Sequence, residues 1–169
     1  MASLVVYFSR KGENILNFKD VWLDVGNTEV VAKKIAAFTN SDIFQIVPSV
    51  PYPDSYDQLA RMVYQEQENN IKRDYLNKDS IDVNKYDTVY IGFPIWEKTC
   101  PRLIVRFIEE NNLAGKVVKL FCTNDEGSFG IAELELKSRI KGADLKPGLA
   151  IHGSKINESD DKIKAWLEK

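Results

Sequence analysis

The chain has 169 residues, a formal net charge of −2, and 44% hydrophobic and 28% charged residues. A single domain of this size buries roughly two thirds of its unfolded-chain surface, which makes a disulfide or metal staple unnecessary. The composition excludes a disordered chain, no apolar stretch reaches the ~20 residues of a membrane-spanning helix, and interleaved charges such as Glu133, Glu135, Lys137 and Arg139 leave no basic stripe for a nucleic-acid backbone.

Met1-Ala2-Ser3-Leu4 runs straight into apolar sequence. No secretory signal is read there, and a cytoplasmic protein without membrane insertion is expected. Two cysteines, Cys100 and Cys122, and the single His152 are too few soft ligands for a zinc site.

In chain order, Leu4–Phe8 reads as the first strand and stops at Ser9-Arg10. A helix opens at Gly26-Asn27-Thr28, with Val31, Ile35 and Phe38 on one face. Between them residues 11–25 form an insertion whose Ile15, Leu16, Phe18, Val21, Trp22, Leu23 and Val25 are too apolar for a free loop. A small hairpin with its turn near Lys19-Asp20 is the expected form. Trp22, like Trp166 near the end of the chain, reads as a packing residue.

Ile43–Val47 reads as the second strand; Pro48, Pro51 and Pro53 then force an extended connection into a helix from about residue 55 to 69. Residues 70–85 are polar with weak periodicity. Thr88–Phe93 is the third strand, and Pro101 just inside the next helix precedes the apolar face of Leu103, Phe107 and Ile108. Val117–Cys122 is the fourth strand, followed by a helix with Ala132, Leu136 and Ile140. Leu149–Ile151 is the fifth, and Ser159 starts a last helix carrying Ile163, Trp166 and Leu167.

Nearly continuous apolar strands alternating with amphipathic helices predict one doubly wound α/β domain over residues 1–169, with a parallel sheet between two helical layers. Ligands of such sheets sit outside the carboxyl ends of the strands. Three strand-end loops meet there: Ser9-Arg10 with Gly26-Asn27-Thr28, Pro94-Ile95-Trp96-Glu97-Lys98, and Thr123 to Ser128. A strand delivering hydroxyl residues to a helix N-terminus is a phosphate cradle, because unpaired N–H groups and the positive helix end face an anion. An indole, a proline-fixed backbone and a glycine-containing turn on the other loops suit a flat aromatic ring attached to that phosphate. Receiver-domain acids, a P-loop Gly-Lys-Ser/Thr and a dinucleotide G-x-G-x-x-G are absent.

Ser9-Arg10 followed by the delayed Gly26-Asn27-Thr28, Tyr86-Asp87 leading into Val89–Trp96, and Gly115-Lys116 leading into Leu120–Thr123 resemble the flavodoxin-like FMN proteins. The likeness is greatest to the branch whose first loop reads Ser-Arg-x-Gly-Glu-Asn. The resemblance implies a five-stranded sheet in the order 2-1-3-4-5, non-covalent FMN, and electron transfer with a redox partner protein or small acceptor. By the same resemblance Ser9, Arg10, Asn27 and Thr28 hold the phosphate. Pro94, Ile95 and Trp96 line one side of the ring, with Glu97 and Lys98 of the same loop counted in the site, and Asn124, Asp125, Glu126, Gly127 and Ser128 face its other edge. The insertion lies over the ribityl chain. No catalytic side chain is implied, since the chemistry belongs to the cofactor.

An NAD(P)H-dependent quinone or flavin reductase is the alternative, and a flavin-free interaction module is a further one. The chain departs from the strongly acidic electron shuttles of that fold in being barely acidic, and in having Glu97-Lys98 and Asn124-Asp125-Glu126 beside the ring. Cys100, before Pro101, reads as a small buried thiol rather than a redox group, and His152 as structural or exposed.

Overall fold

The structure, a computed structural model, describes residues 1–169. Its elements are β1 (Ser3–Tyr7), a hairpin of β2 (Gly12–Leu16) and β3 (Lys19–Leu23), α1 (Asn27–Thr39), β4 (Asp42–Gln45), α2 (Tyr56–Glu68) and β5 (Thr88–Pro94). They continue with α3 (Arg102–Glu110), β6 (Val117–Asn124), α4 (Ala132–Lys137), β7 (Asp144–Leu145), β8 (Leu149–His152) and α5 (Asp160–Leu167). No helix is long and apolar enough to cross a membrane.

β1 lies between β4 and β5, β5 pairs with β6, and every pairing in this sheet is parallel. Counted by position the order is 2-1-3-4-5, as expected. The fifth position is split: β7 and β8 both pair with β6, so the sheet counts six strands rather than five. Pro147 stands at the break, where its missing N–H cannot continue a ladder.

Alternate residues of each strand serve opposite faces. Leu4, Val6, Phe8, Val89, Ile91 and Phe93 pack with Leu103, Phe107, Ala132 and Leu136 of α3 and α4. Val5, Tyr7, Tyr90 and Phe121 pack with Val31, Ala32 and Ile35 of α1 and with Ile163 and Trp166 of α5. Burial on both faces is why these strands read as unbroken apolar runs.

Several local expectations change. The turn of the β2–β3 hairpin is Asn17-Phe18, not Lys19-Asp20; both residues have positive φ, 50° and 63°. Two left-handed residues make the tight turn whose twist matches the strands, and Asn17 tolerates that conformation well. Trp22 is not a packing residue: it is 59% exposed on the outer face of the hairpin. Phe38 is 38% exposed, and the buried face of α1 is instead Thr28, Val31, Ala32 and Ile35. Pro101 sits at the cap of α3 rather than inside it, and the Ser159 hydroxyl donates to the Ile156 carbonyl instead of capping α5.

Candidate functional site

The carboxyl ends of β1, β5 and β6 floor a cavity of about 340 Å³, within the usual range for small-molecule sites. One wall is the start of α1. Its cap residue, Gly26, lies so close to the β1 end that a Cβ there would fall 2.2 Å from Ser9 Oγ and 2.6 Å from the Arg10 carbonyl. Ser9 Oγ accepts the Glu29 N–H at 3.0 Å, so the side-chain cap of α1 comes from the loop just after β1. The Thr28 hydroxyl is buried against the Thr123 hydroxyl at 2.8 Å, tying α1 to the end of β6. The two halves of the expected cradle are therefore joined in space, with the N–H groups of the first helical turn at the cavity.

Arg10 behaves differently from the expectation. It lines the cavity, but its guanidinium donates to backbone carbonyls: Nε and Nη2 to Pro53 at 3.0 and 2.8 Å, Nη1 to Glu13 at 2.5 Å and Nη2 to Asp54 at 2.5 Å. Burial lowers its pKa, against the raising effect of Asp54 and Glu13. Its donors hold the approach to α2 and the base of the hairpin, rather than waiting for an anion.

The hairpin crosses the cavity as a strap. Its base is fixed to α2, where Glu13 N–H donates to the Asp54 carbonyl at 3.0 Å and the Glu13 carboxylate accepts the Tyr56 N–H at 3.0 Å. At its tip the Asp125 carboxylate accepts the Asn17 N–H at 2.8 Å and, more weakly, the Phe18 N–H at 3.4 Å. His152 Nε2 stands 3.6 Å from the same carboxylate.

The opposite wall is the turn after β5. Trp96 packs edge-on against Phe8 and Tyr52, with centroids 5.4 and 4.9 Å apart. Glu97 and Lys98 both have positive φ, 45° and 69°. For residues with a Cβ each such conformation costs about 1–2 kcal/mol and persists only where the surroundings enforce it. They do so here. Buried Thr99 hydrogen bonds to Glu135, which also pairs with Arg102 through Nη1–Oε1 at 2.7 Å and Nη2–Oε2 at 2.9 Å.

Burial pushes the Glu135 carboxyl up, but hydrogen bonds from Arg102 and Thr99 and the charges of Arg102 and Arg139 outweigh it, leaving its pKa lowered. A depressed folded-state pKa gives stability that is whole above the unfolded value, ~4.3, and lost as pH falls through the folded one. Wild-type urea midpoints are expected to drop on acidification below about pH 5. Glu135→Gln should be less stable at neutral pH and show a shallower acid slope; equal slopes would count against this coupling.

The loop after β6 is organised by Asn124. Its Oδ1 accepts the Gly127 and Ser128 N–H groups at 2.6 and 3.2 Å, and its Nδ2 donates to the Ser128 carbonyl at 2.6 Å.

Of the predicted site residues, Ser9, Arg10, Asn27, Thr28, Pro94, Ile95, Trp96, Glu97, Asn124, Asp125 and Glu126 line this one cavity. Lys98, Gly127 and Ser128 do not: Lys98 is turned outward by the left-handed turn, and the other two close the Asn124 turn behind the wall. Sequence reasoning missed the α2 face of Tyr56, Leu59, Ala60 and Val63, and also Gly153; Thr123, read as the start of the third loop, lines the cavity as well. The insertion did carry a signal in its apolar content, and Ile15, Leu16, Val21 and Leu23 line the cavity. Cys100 is fully buried, its thiol pushed up to about 12 by burial, so it is protonated at neutral pH.

The sequence matches the family model described as Flavodoxin over residues 21–169. Among solved structures the chain is similar to a protein from Bacteroides uniformis described as a flavoprotein, at 29% identity over 99% of this chain and 98% of that one, with a TM-score of 0.77. Another so described, from Bacteroides eggerthii, is 27% identical over 96% of this chain and 98% of that one, with a TM-score of 0.71. A flavoprotein from Lactobacillus acidophilus in complex with FMN is 19% identical over 98% of each chain, with a TM-score of 0.68, and shares the fold. No curated protein matches the sequence.

Proposed function

This chain belongs to the flavodoxin family, and on that premise we propose that its cavity holds non-covalent FMN, through which it transfers electrons to a redox partner protein or small acceptor. The observation that carries the reading is the meeting, across one cavity of about 340 Å³, of the α1 N-terminal cradle and the Trp96 turn. A phosphate and a flat ring have different requirements, and the two walls meet them separately.

Ser9, Asn27 and Thr28, with the first N–H groups of α1, hold the phosphate; the helix end supplies the hydrogen-bond donors that Arg10, committed to carbonyls, does not. Trp96 and Ile95 pack on the ring, and the hairpin covers it from water. FMN, when bound, supplies the electron chemistry. The carboxylates of Glu97, Asp125 and Glu126 oppose negative charge accumulating beside them. Arg10 is the sole basic residue of the wall and its donors are committed to carbonyls.

FMN has about thirty heavy atoms, and at roughly 0.3 kcal/mol per atom the binding free energy is about 9 kcal/mol, a sub-micromolar affinity. Protein purified without added cofactor is expected to be yellow and to release a ligand with the mass of FMN. Colourless protein that also fails to take up added FMN would overturn the proposal. Trp96→Ala and Thr28→Val should each weaken FMN binding about tenfold, the first through lost stacking of about 0.5–1.5 kcal/mol and the second through an orphaned Thr123 hydroxyl. If titration finds neither weakened, the site is misplaced even with the cofactor correct.

A further inference from the structure

We propose that Thr99, Glu135 and Gln67, none of which lines the cavity, are positioning residues that hold the Trp96–Thr99 turn in one shape and thereby set how affinity for FMN changes on reduction. The inference rests on the FMN reading and concerns a different property of the same site.

The turn closes on itself, with Trp96 N–H donating to the Thr99 carbonyl at 2.8 Å and Thr99 N–H to the Trp96 carbonyl at 3.1 Å. Glu97 and Lys98 between them are left-handed without being glycine, so an unsupported turn would relax. Support comes from both flanks. From α2, Gln67 Nε2 donates to the Trp96 carbonyl at 3.0 Å. From the α4 side, Ile131 N–H donates to the Lys98 carbonyl at 2.8 Å, an approach open only because residue 130 is glycine, where a Cβ would lie 2.2 Å from that oxygen. The Thr99 hydroxyl donates to Glu135, whose carboxylate is held in turn by both terminal nitrogens of Arg102.

These contacts commit the carbonyls of Trp96, Lys98 and Thr99. The Glu97 carbonyl and the Glu97 and Lys98 N–H groups have no partner within the protein, and Glu97 is at the cavity. Those of Glu97 are the groups the turn has left for a ligand. If FMN bound here took up an electron and a proton from solvent at its ring edge, an acceptor nitrogen would become an N–H donor, and a neighbouring backbone would have to reorient or lose a hydrogen bond. A turn gripped from two sides presents the same groups to both redox states, and its resting shape is the one that oxidised FMN meets. Released from either grip, it can adapt to the reduced form.

Thr99→Val removes the hydroxyl while keeping the branched shape and the Arg102–Glu135 pair; Thr99→Ser restores the hydroxyl; Gln67→Ala loosens the opposite flank. With FMN bound, Thr99→Val and Gln67→Ala are expected to hold oxidised FMN within about threefold of wild type and to tighten reduced FMN at least tenfold relative to it. That ratio raises the midpoint potential by about 59 mV for a one-electron couple. Thr99→Ser should return to the wild-type potential. Amide exchange of Ile131 in the FMN-loaded protein should quicken in Thr99→Val and Gln67→Ala but not in Thr99→Ser, a change that lost global stability would spread over every core amide. Unchanged or lowered potentials in both loosened variants overturn the inference while leaving the FMN reading intact. Wild-type protein that binds no FMN ends both. Should Thr99→Val fail to fold, Gln67→Ala, on an intermediate surface of α2, decides the matter alone.

Discussion

Replacing Gly26 with alanine is expected to weaken FMN binding at least about a hundredfold, roughly 2.7 kcal/mol. The backbone itself would allow alanine, since Gly26 has φ −64° and ψ 146°, ordinary extended values. Space is what forbids it. The new methyl would stand 2.2 Å from Ser9 Oγ, 2.6 Å from the Arg10 carbonyl oxygen and 2.9 Å from its carbon, two of the three being backbone atoms that cannot rotate aside. Ser9 must then move away from the Glu29 N–H, separating the two halves of the cradle. Overpacking of this kind also costs about 1–3 kcal/mol of stability. Flavin-fluorescence titration measures the first effect and urea unfolding the second. Wild-type affinity in Gly26→Ala would mean that the Ser9-Arg10 turn moves freely and grips no phosphate.

Arg10→Met should cost about 3 kcal/mol of stability in the FMN-free protein, a large share of the 5–15 kcal/mol of a typical domain. One 9%-exposed guanidinium serves the carbonyls of Glu13, Pro53 and Asp54, and methionine leaves all three without their charged donor. The hairpin base and the approach to α2 are both released, so the strap should lose protection from hydrogen exchange before the sheet does. Lysine keeps the charge but has no planar fork, and Arg10→Lys is expected to fall between wild type and methionine. A residue whose work is direct contact with phosphate would behave otherwise, with FMN-free stability unchanged and only affinity lost. Urea midpoints of the three proteins without FMN distinguish the two roles.

These two positions mark how far the amino-acid order could be read. Gly26-Asn27-Thr28 is legible because a glycine and hydroxyl residues opening an amphipathic run are a local signal, and its partner Ser9 ends an apolar run that is equally local. Arg10 stands beside Ser9 and invites the same role, yet its donors are taken by carbonyls more than forty residues away at Pro53 and Asp54. The wall formed by α2 was hidden for a similar reason. Tyr56, Leu59, Ala60 and Val63 look like any amphipathic helix face, and only the crossing of the hairpin places them at the cavity. The hairpin turn eluded the pattern because Asn17-Phe18 uses a bulky residue at positive φ where a glycine is the usual marker.

Period and composition determined the parallel sheet and the rim on which the loops converge, because burial on both faces imposes a continuous apolar pattern on every central strand, whereas the 2-1-3-4-5 order came only from the family resemblance. Tertiary structure decided which polar groups stay available to a ligand. Arg10, Asn124 and Thr99 spend their hydrogen bonds on backbone or neighbouring side chains, while the free N–H groups of α1 and of the Glu97-Lys98 turn face no protein partner. A hydrogen bond needs its two atoms within about 3 Å, and such distances between remote segments exist only once the sheet has brought the segments together.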